Sequence, residues 1–359
     1  MIKTVHGLKQ WLVFDLHHDC YVGSFLKYLP SCSKFEALEE ILRQTACVMS
    51  KLISDSKINA ILSLLDDEDS TIFKAARSEL LNIFQSHHPE SAQILQAMVE
   101  KKNTAPAHVS IRIEELIDDI QFQVLSPQFL RGFMDHATLE TYAFLVMRIG
   151  YPDVNLDKYR QEFQRLESLL RLEYFTSSMS DIDKIFMMSV ILFEKEGYRG
   201  NSAGYYEPDN SYLNRVMDRK LGIPISLGTI YLILAERFHL PIYGVNMPGH
   251  FLLKYETPGG EERFIDPFNQ GRILDKQDCI RFLHNQGYSM VDQYFAKASA
   301  LDILERMFKN LYNSYRELGL RHKTALMERY LNLILDFRGE PLLPPNSPFG
   351  SDDLEENDV

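Results

Sequence analysis

The chain has 359 residues, 45% apolar and 25% charged, with a formal charge of −12, the profile of a globular protein long enough for two or three domains and a sizeable core. The acidic balance argues against nucleic acid or an anionic membrane as partner, and no apolar run reaches the ~18 residues that span a bilayer. Cys20, Cys32, Cys47 and Cys279 form no CxxC pair, which sets aside a zinc knuckle or thioredoxin motif and, with no signal-peptide pattern at the start, points to reduced thiols in the cytoplasm.

The first 130 residues read as helices. "FEALEEILRQTACVMSKLI" puts Phe35, Leu38, Ile41 and Leu42 at helical spacing. A second segment breaks at "DDEDS", where Asp69 or Ser70 is placed to cap the next helix, whose apolar face runs through Ile72, Ala75, Ala76 and Leu80. Helix, acidic turn and helix resemble one HEAT-type unit, which cannot bury its own face and must dock on a neighbour. "KKNTAPAHVS", Lys101 to Ser110, is polar and contains proline. It is read as a boundary or mobile connection.

Two helices split by "GYPDVN" follow, and then another opened by Asp181 or Asp183. "EPDNSYLNRVMDRKLG" reads as a short helix capped by Asp209 or Asn210, and it leads through "GIPIS" into a long apolar helix beginning near Ser226. Strands are expected only after Pro241: "IYGVNM", "HFLLKY" and "RFIDPF" are short, aromatic and β-branched, with "ETPGGEE" as a hairpin tip. From Ala300 two amphipathic stripes separated by "LRHK" form a helical hairpin. The last segment is Pro-rich, then acidic, and is expected to be disordered. The fold class is therefore α+β. Its parts are a helical 1–105, a helical connection 106–134, a core 135–292, a hairpin 293–340 and an acidic tail 341–359.

Three features of the core converge. A helix begins near Ser226, His250 opens one strand, and Asp266 lies in the next. A nucleophile at a helix start gains from the dipole, an imidazole can take its proton, and a carboxylate can orient that imidazole. Each residue also has a plainer role. Ser226 can cap the helix, His250 can be a partly buried structural histidine, and Asp266 can cap the turn "PFNQG". Asn214 and Arg215 either line a groove or have a surface or capping role. His250 lies opposite Asp266 if Tyr255 and Glu261 close a five-residue loop; a two-residue Gly259-Gly260 turn would set Asp266 against Leu253 instead. The adjacent pairs His17/His18 and His87/His88 do not converge on a metal, and no cofactor motif occurs.

The phrases "YYEPDNSYLNRV", "LGIPISL", "PGHF" and "DPFNQGR" make roughly residues 135–290 resemble the transglutaminase-like SirB family of bacterial proteins. The resemblance implies a papain-like transglutaminase core, with HEAT-like helices before it and TPR-like helices after. In that wider superfamily a Cys at a helix start meets a His and an Asp from neighbouring strands. His250 and Asp266 carry over. At Gly222-Ile223-Pro224, Pro224 stands where the sulfur would be. The resemblance thus implies a cleft that keeps His250 and Asp266 and lacks the cysteine nucleophile; Asn210, Asn214, Arg215 and Pro224 are placed by the sequence to line it. The expectation is a regulatory or scaffold protein that binds a protein or peptide, with no metal and no cofactor. The rival is a hydrolase or acyl transferase using Ser226, His250 and Asp266.

Overall fold

A computed structural model describes residues 60–67, 69–85, 91–289 and 291–344. The helices expected before residue 59, the adjacent His17/His18 and His87/His88, the cysteines Cys20, Cys32 and Cys47, and the acidic end of the tail lie outside the described residues.

The helical lead contains α1 (Ser70–Gln85), α2 (Ser91–Thr104) and α3 (Ala107–Met134). Asp69 caps α1, its Oδ1 accepting the Thr71 N–H at 2.8 Å. The buried stripe of α1 is Ala76, Leu80, Ile83 and Phe84. Ile72 and Ala75, expected on that face, are exposed, because the stripe continues N-terminally through half-buried Phe73, where the Arg112 guanidinium covers the ring. The expected break at Lys101–Ser110 narrows to Ala105 and Pro106 between two helices that pack together. Proline suits the start of α3, since an N–H there would have no intrahelical partner.

α4 (Leu139–Gly150) and α5 (Leu156–Leu169) are capped by Thr138 and Asn155. α6 (Asp181–Ser189) is opened by Ser180, not by an aspartate. Ser180 Oγ accepts the Asp183 N–H while the Asp183 carboxylate accepts the Ser180 N–H, a reciprocal capping box. α5 and α6 both run on into π-helical turns, Leu170–Tyr174 and Val190–Lys195.

β1 (Arg199–Gly200) pairs in parallel with β2 (Leu221–Gly222), with α7 (Leu213–Arg219) between them. α8 (Pro224–Arg237) is buried from Pro224 to Ala235 on every side, as a helix at the centre of a core must be. The antiparallel sheet follows in the order β3 (Ile242–Met247), β4 (His250–Glu256), β5 (Glu262–Asp266), β6 (Arg272–Asp275). α9 (Lys276–Asn285), α10 (Ala300–Glu317) and α11 (Arg321–Arg338) complete the described chain. The sequence reading missed β1, β2 and β6.

α8 packs on one face of β4 through a close approach at Gly228, where an added Cβ would lie 2.6 Å from the Phe251 ring. Phe251, Leu253 and Tyr255 join the main core on that face. Leu252 and Phe264 alternate to the other face, where they cluster with Cys279 and Leu283 of α9. The α10–α11 hairpin belongs to the main core through Phe308 and Tyr330, which stack on each other and meet Phe129 of α3 edge-on. Its turn is Leu318 to Leu320, with Gly319 at φ 69°. Arg321, His322 and Lys323, expected in the turn, form the first turn of α11. The start of the expected disordered tail is tied down: the Leu343 N–H donates to Asn332 Oδ1 at 2.8 Å.

Candidate functional site

His250 is placed by the two-residue turn Pro248-Gly249 between β3 and β4, across which Met247 pairs with His250. Proline fixes φ at the first turn position and Gly249, at φ 70°, takes the left-handed second one. "PGH" therefore sets the imidazole as the first side chain of β4. Both sequence-based registers for the next hairpin are corrected. Glu256 pairs with Glu262 and Leu253 with Ile265, so the loop is again five residues, Thr257 to Glu261, but shifted by one position. Continuing this register sets Asp266 across from Leu252. His250 is its diagonal neighbour on the same face, within reach of a long side chain.

The two side chains meet there. His250 Nε2 lies 3.0 Å from Asp266 Oδ2, with 11% and 6% of the respective side chains exposed. Asp266 also caps its turn: Oδ1 accepts the N–H groups of Phe268 and Asn269, and Oδ2 accepts Asn269 Nδ2 at 2.7 Å. Burial alone would raise the Asp266 pKa. The contact with His250 and the Asn269 donors outweigh it and hold the carboxyl below its ordinary value. The imidazole lies against the Phe282 ring of α9, centroids 5.7 Å apart. With Nε2 turned to Asp266, Nδ1 is the atom left to accept or deliver a proton.

The start of α8 approaches the same end of the sheet. Phe268, in the turn after Asp266, covers Gly200 so closely that a Cβ there would sit 2.5 Å from the ring. Gly200 pairs with Gly222, two residues before α8. Ser226, however, is bonded inward. It is fully buried. Its hydroxyl donates to the Asn210 carbonyl at 2.6 Å, with the Ile223 carbonyl 3.1 Å away, and accepts the Ile223 N–H at 3.0 Å. That last bond is the return half of a capping box, made by the third helical residue. Gly222 is required beside it, because a Cβ there would press within 2.6 Å of Ser226 Oγ. The structure thus unites His250 with Asp266 and ties Ser226 to backbone.

The four other predicted residues are placed as follows. Pro224 is the first residue of α8, where a missing N–H costs nothing. Asn210 is a clamp: Nδ2 donates to the Gly204 and Tyr205 carbonyls at 2.7 and 3.0 Å, and Oδ1 accepts Asn201 Nδ2 at 3.1 Å. Neither Asp209 nor Asn210 caps α7; both lie in the 3-10 turn before it, and Tyr212 holds the cap position without a side-chain bond. Arg215 pairs with Asp209 at 2.9 Å and lies over the Tyr151 ring. Asn214 is buried, and its Oδ1 has no hydrogen-bond partner.

Cys279 packs in the apolar cluster on the dyad's side of the sheet. Burial, with Asp278, Asp275 and Asp266 nearby, pushes its thiol up to about 12, which leaves almost no thiolate to attack a substrate. Sequence reasoning passed over Asn269 and Phe282. Asn269 stands three residues after an aspartate in a Pro-containing turn, a spacing that signals a side-chain-capped turn.

Comparison with known proteins supports the architecture. The family model of the transglutaminase-like superfamily matches residues 157–309. A UPF0162 protein of Xylella fastidiosa is 37% identical over 203 residues, which are 55% of this chain and 72% of that protein. Protein SirB1 of Salmonella typhimurium is 27% identical over 176 residues, 46% of this chain and 64% of its own. Human F-box only protein 21 is 29% identical over 156 residues, 41% of this chain and 24% of its own. No solved structure matches significantly. The 37% identity over 72% of the Xylella protein, with the family-model match and the SirB1 relative, establishes that the chain belongs to the transglutaminase-like SirB family.

Proposed function

We propose that this protein is a non-catalytic, regulatory or scaffold member of its family that binds a protein or peptide partner. The observation that carries the reading is the state of Ser226. Its proton goes to the Asn210 carbonyl, its lone pair takes the Ile223 N–H, and Pro224 fills the helix start two residues earlier. A hydroxyl so engaged is a structural pin, and activating it would break two buried hydrogen bonds. The recurrence of a related segment as 24% of a much longer human protein suits a module carried in different settings.

The rival, a hydrolase or acyl transferase, draws on the His250–Asp266 pair, which has the geometry of a base and its orienting carboxylate. One experiment separates the two. The purified chain, Ser226→Ala and His250→Ala are screened against a broad ester and amide panel. No turnover is expected; turnover by the parent that a substitution abolishes while circular dichroism shows the variant still folded replaces the binding role with the enzymatic one. In parallel, random peptides displayed on phage are selected on the intact chain and are expected to converge on a motif. Failure to converge removes the peptide-binding role.

A further inference from the structure

A cavity of about 300 Å³ runs along α4 between α3 and α5, away from the His250–Asp266 pair. Phe144 and Leu145, 6% and 8% exposed, and Leu156 on the α5 side are its apolar lining, and the rest of the wall is polar. Thr138 and Thr141 line the end nearest the start of α4, their hydroxyls 3.0 Å apart. Arg148 lies at the other end. It is half-buried, and Gln128 Oε1, 3.0 Å away, is its hydrogen-bond partner. Among the described residues no carboxylate stands within ion-pair distance of Arg148.

The other charged groups on the wall are engaged. Glu140 is bound by Arg237 at 2.7 Å, and Arg160 pairs with Asp157 at 2.7 Å while lying over the Phe144 ring. One positive charge is therefore left over. A cation in the last turn of a helix favours the helix dipole, which accounts for an arginine at this position on the surface. It does not account for a half-buried guanidinium at a cavity wall whose hydrogen-bond partner is a neutral amide and not a carboxylate, since partial burial works against the charge. A second cavity, of about 370 Å³, differs in this respect. Its Arg171, Lys184 and Arg237 each hold a carboxylate, from Glu167, Asp181 and Glu140, so no charge remains to be matched.

We propose that the α4 cavity binds a carboxylate carried on a short apolar body, with Arg148 as its anchor. The guanidinium fork matches a carboxylate in two parallel hydrogen bonds. Phe144, Leu145 and Leu156 receive the apolar body, and whichever of the Thr138 and Thr141 hydroxyls does not donate to the other supplies one further donor. The volume is at the lower end for small-molecule sites and suits one branched side chain with its acid group. A free small acid and the C-terminus of a peptide share this chemistry. The site is distinct from the dyad and does not depend on the function proposed above.

Titration calorimetry on the full chain tests it. N-acetyl-leucine is expected to bind at one site, and N-acetyl-leucinamide, which lacks the charge, roughly tenfold to a hundredfold more weakly. Arg148→Gln is expected to lose the same factor, and Arg171→Gln, at the second cavity, to bind as the parent does. An acetylated tripeptide ending in leucine separates the sources: tighter binding than N-acetyl-leucine assigns the site to a peptide end, equal binding to a small acid. Thr141→Phe, at an exposed position, fills the mouth and is expected to abolish binding, which decides the matter if Arg148→Gln fails to fold. Absence of saturable binding, equal affinity for acid and amide, or binding that survives Thr141→Phe overturns the proposal.

Discussion

Ser226 and Asn210 hold the start of α8 through one hydrogen bond, and the two residues explain each other. Asn210 ties residues 201–205 into a closed turn, and its own carbonyl receives the Ser226 proton. Ser226→Ala leaves the Asn210 carbonyl and the Ile223 N–H buried without that partner, and should lower stability by about 2–4 kcal/mol, read as a shift in the urea unfolding midpoint. An unchanged midpoint would show that the hydroxyl is not a structural pin. Asp266 makes a prediction with a definite sign. Its folded pKa is held below the ordinary 3.8, so the ionised carboxylate favours the native state. That contribution is complete above the ordinary value and disappears as pH falls through the lower folded one. Asp266→Asn should be less stable than the parent at neutral pH, with a gap that narrows below about pH 4. Unfolding curves between these pH values check this; a constant gap would mean that the carboxylate charge is not what His250 and Asn269 stabilise. His250 and Asp266 were legible as residue types on adjacent strands. The inward turn of Ser226 was not, because the choice between cap and nucleophile rests on where the Asn210 carbonyl lies, sixteen residues away in the chain.

Among the elements, helices bounded by caps were readable. Asp69, read in advance as a cap, accepts an N–H from the helix it opens, a local bond that needs no tertiary contact; Thr138 and Asn155 do the same for α4 and α5 but were not singled out. β6 escaped notice because it has four residues and begins and ends on a charge, Arg272 and Asp275; only pairing with β5 makes it a strand. The two π-turns were also beyond sequence reading, since their i→i−5 bonds, Phe175 N–H to Leu170 at 2.7 Å and Glu196 N–H to Ile191 at 2.8 Å, add a residue to an amphipathic pattern that would continue equally well as α-helix. Placing His322 in α11 creates a pH-sensitive contact between α3 and α11. Asp118 of α3 is buried, with Lys323 Nζ at 2.7 Å and His322 Nε2 at 3.3 Å from its two oxygens. Asp118 holds the His322 pKa above its ordinary 6.5, against an opposing effect of burial. Protonated His322 thus favours the folded state. Its contribution is complete below the ordinary value and is lost as pH rises through the higher folded one. His322→Gln should therefore be less stable than the parent near pH 6 and indistinguishable from it near pH 9, as measured by thermal unfolding at about those pH values. A difference that persists at the higher pH would assign His322 a packing role instead.

In the whole molecule, the hairpin α10–α11 and the transglutaminase-like core share one hydrophobic cluster. Leu304, Met307, Phe308, Leu311 and Tyr330 are buried in the same body as Phe129 of α3, Ile230 and Leu234 of α8, and Phe251 of β4. Polar links cross the same boundary. The Tyr212 and Tyr315 hydroxyls meet at 2.7 Å, and Arg306 donates to the Met247 carbonyl at 3.1 Å. The amphipathic stripe of α10 showed in advance that this face must be covered, but periodicity does not name the surface that covers it. The match to the family model, which ends at residue 309, stops in the middle of α10. A chain ending at Ser299 would uncover Ile230, Leu234 and Phe129 and leave the Tyr212 hydroxyl buried without Tyr315. Losing several large core side chains at once costs far more than the few kcal/mol by which a domain is stable. The truncated chain should retain helical far-ultraviolet dichroism, lose its near-ultraviolet signal and bind a hydrophobic dye, the marks of collapse without fixed packing. If it instead unfolds cooperatively at the midpoint of the full chain, the hairpin is an appendage and the shared core contributes nothing to folding.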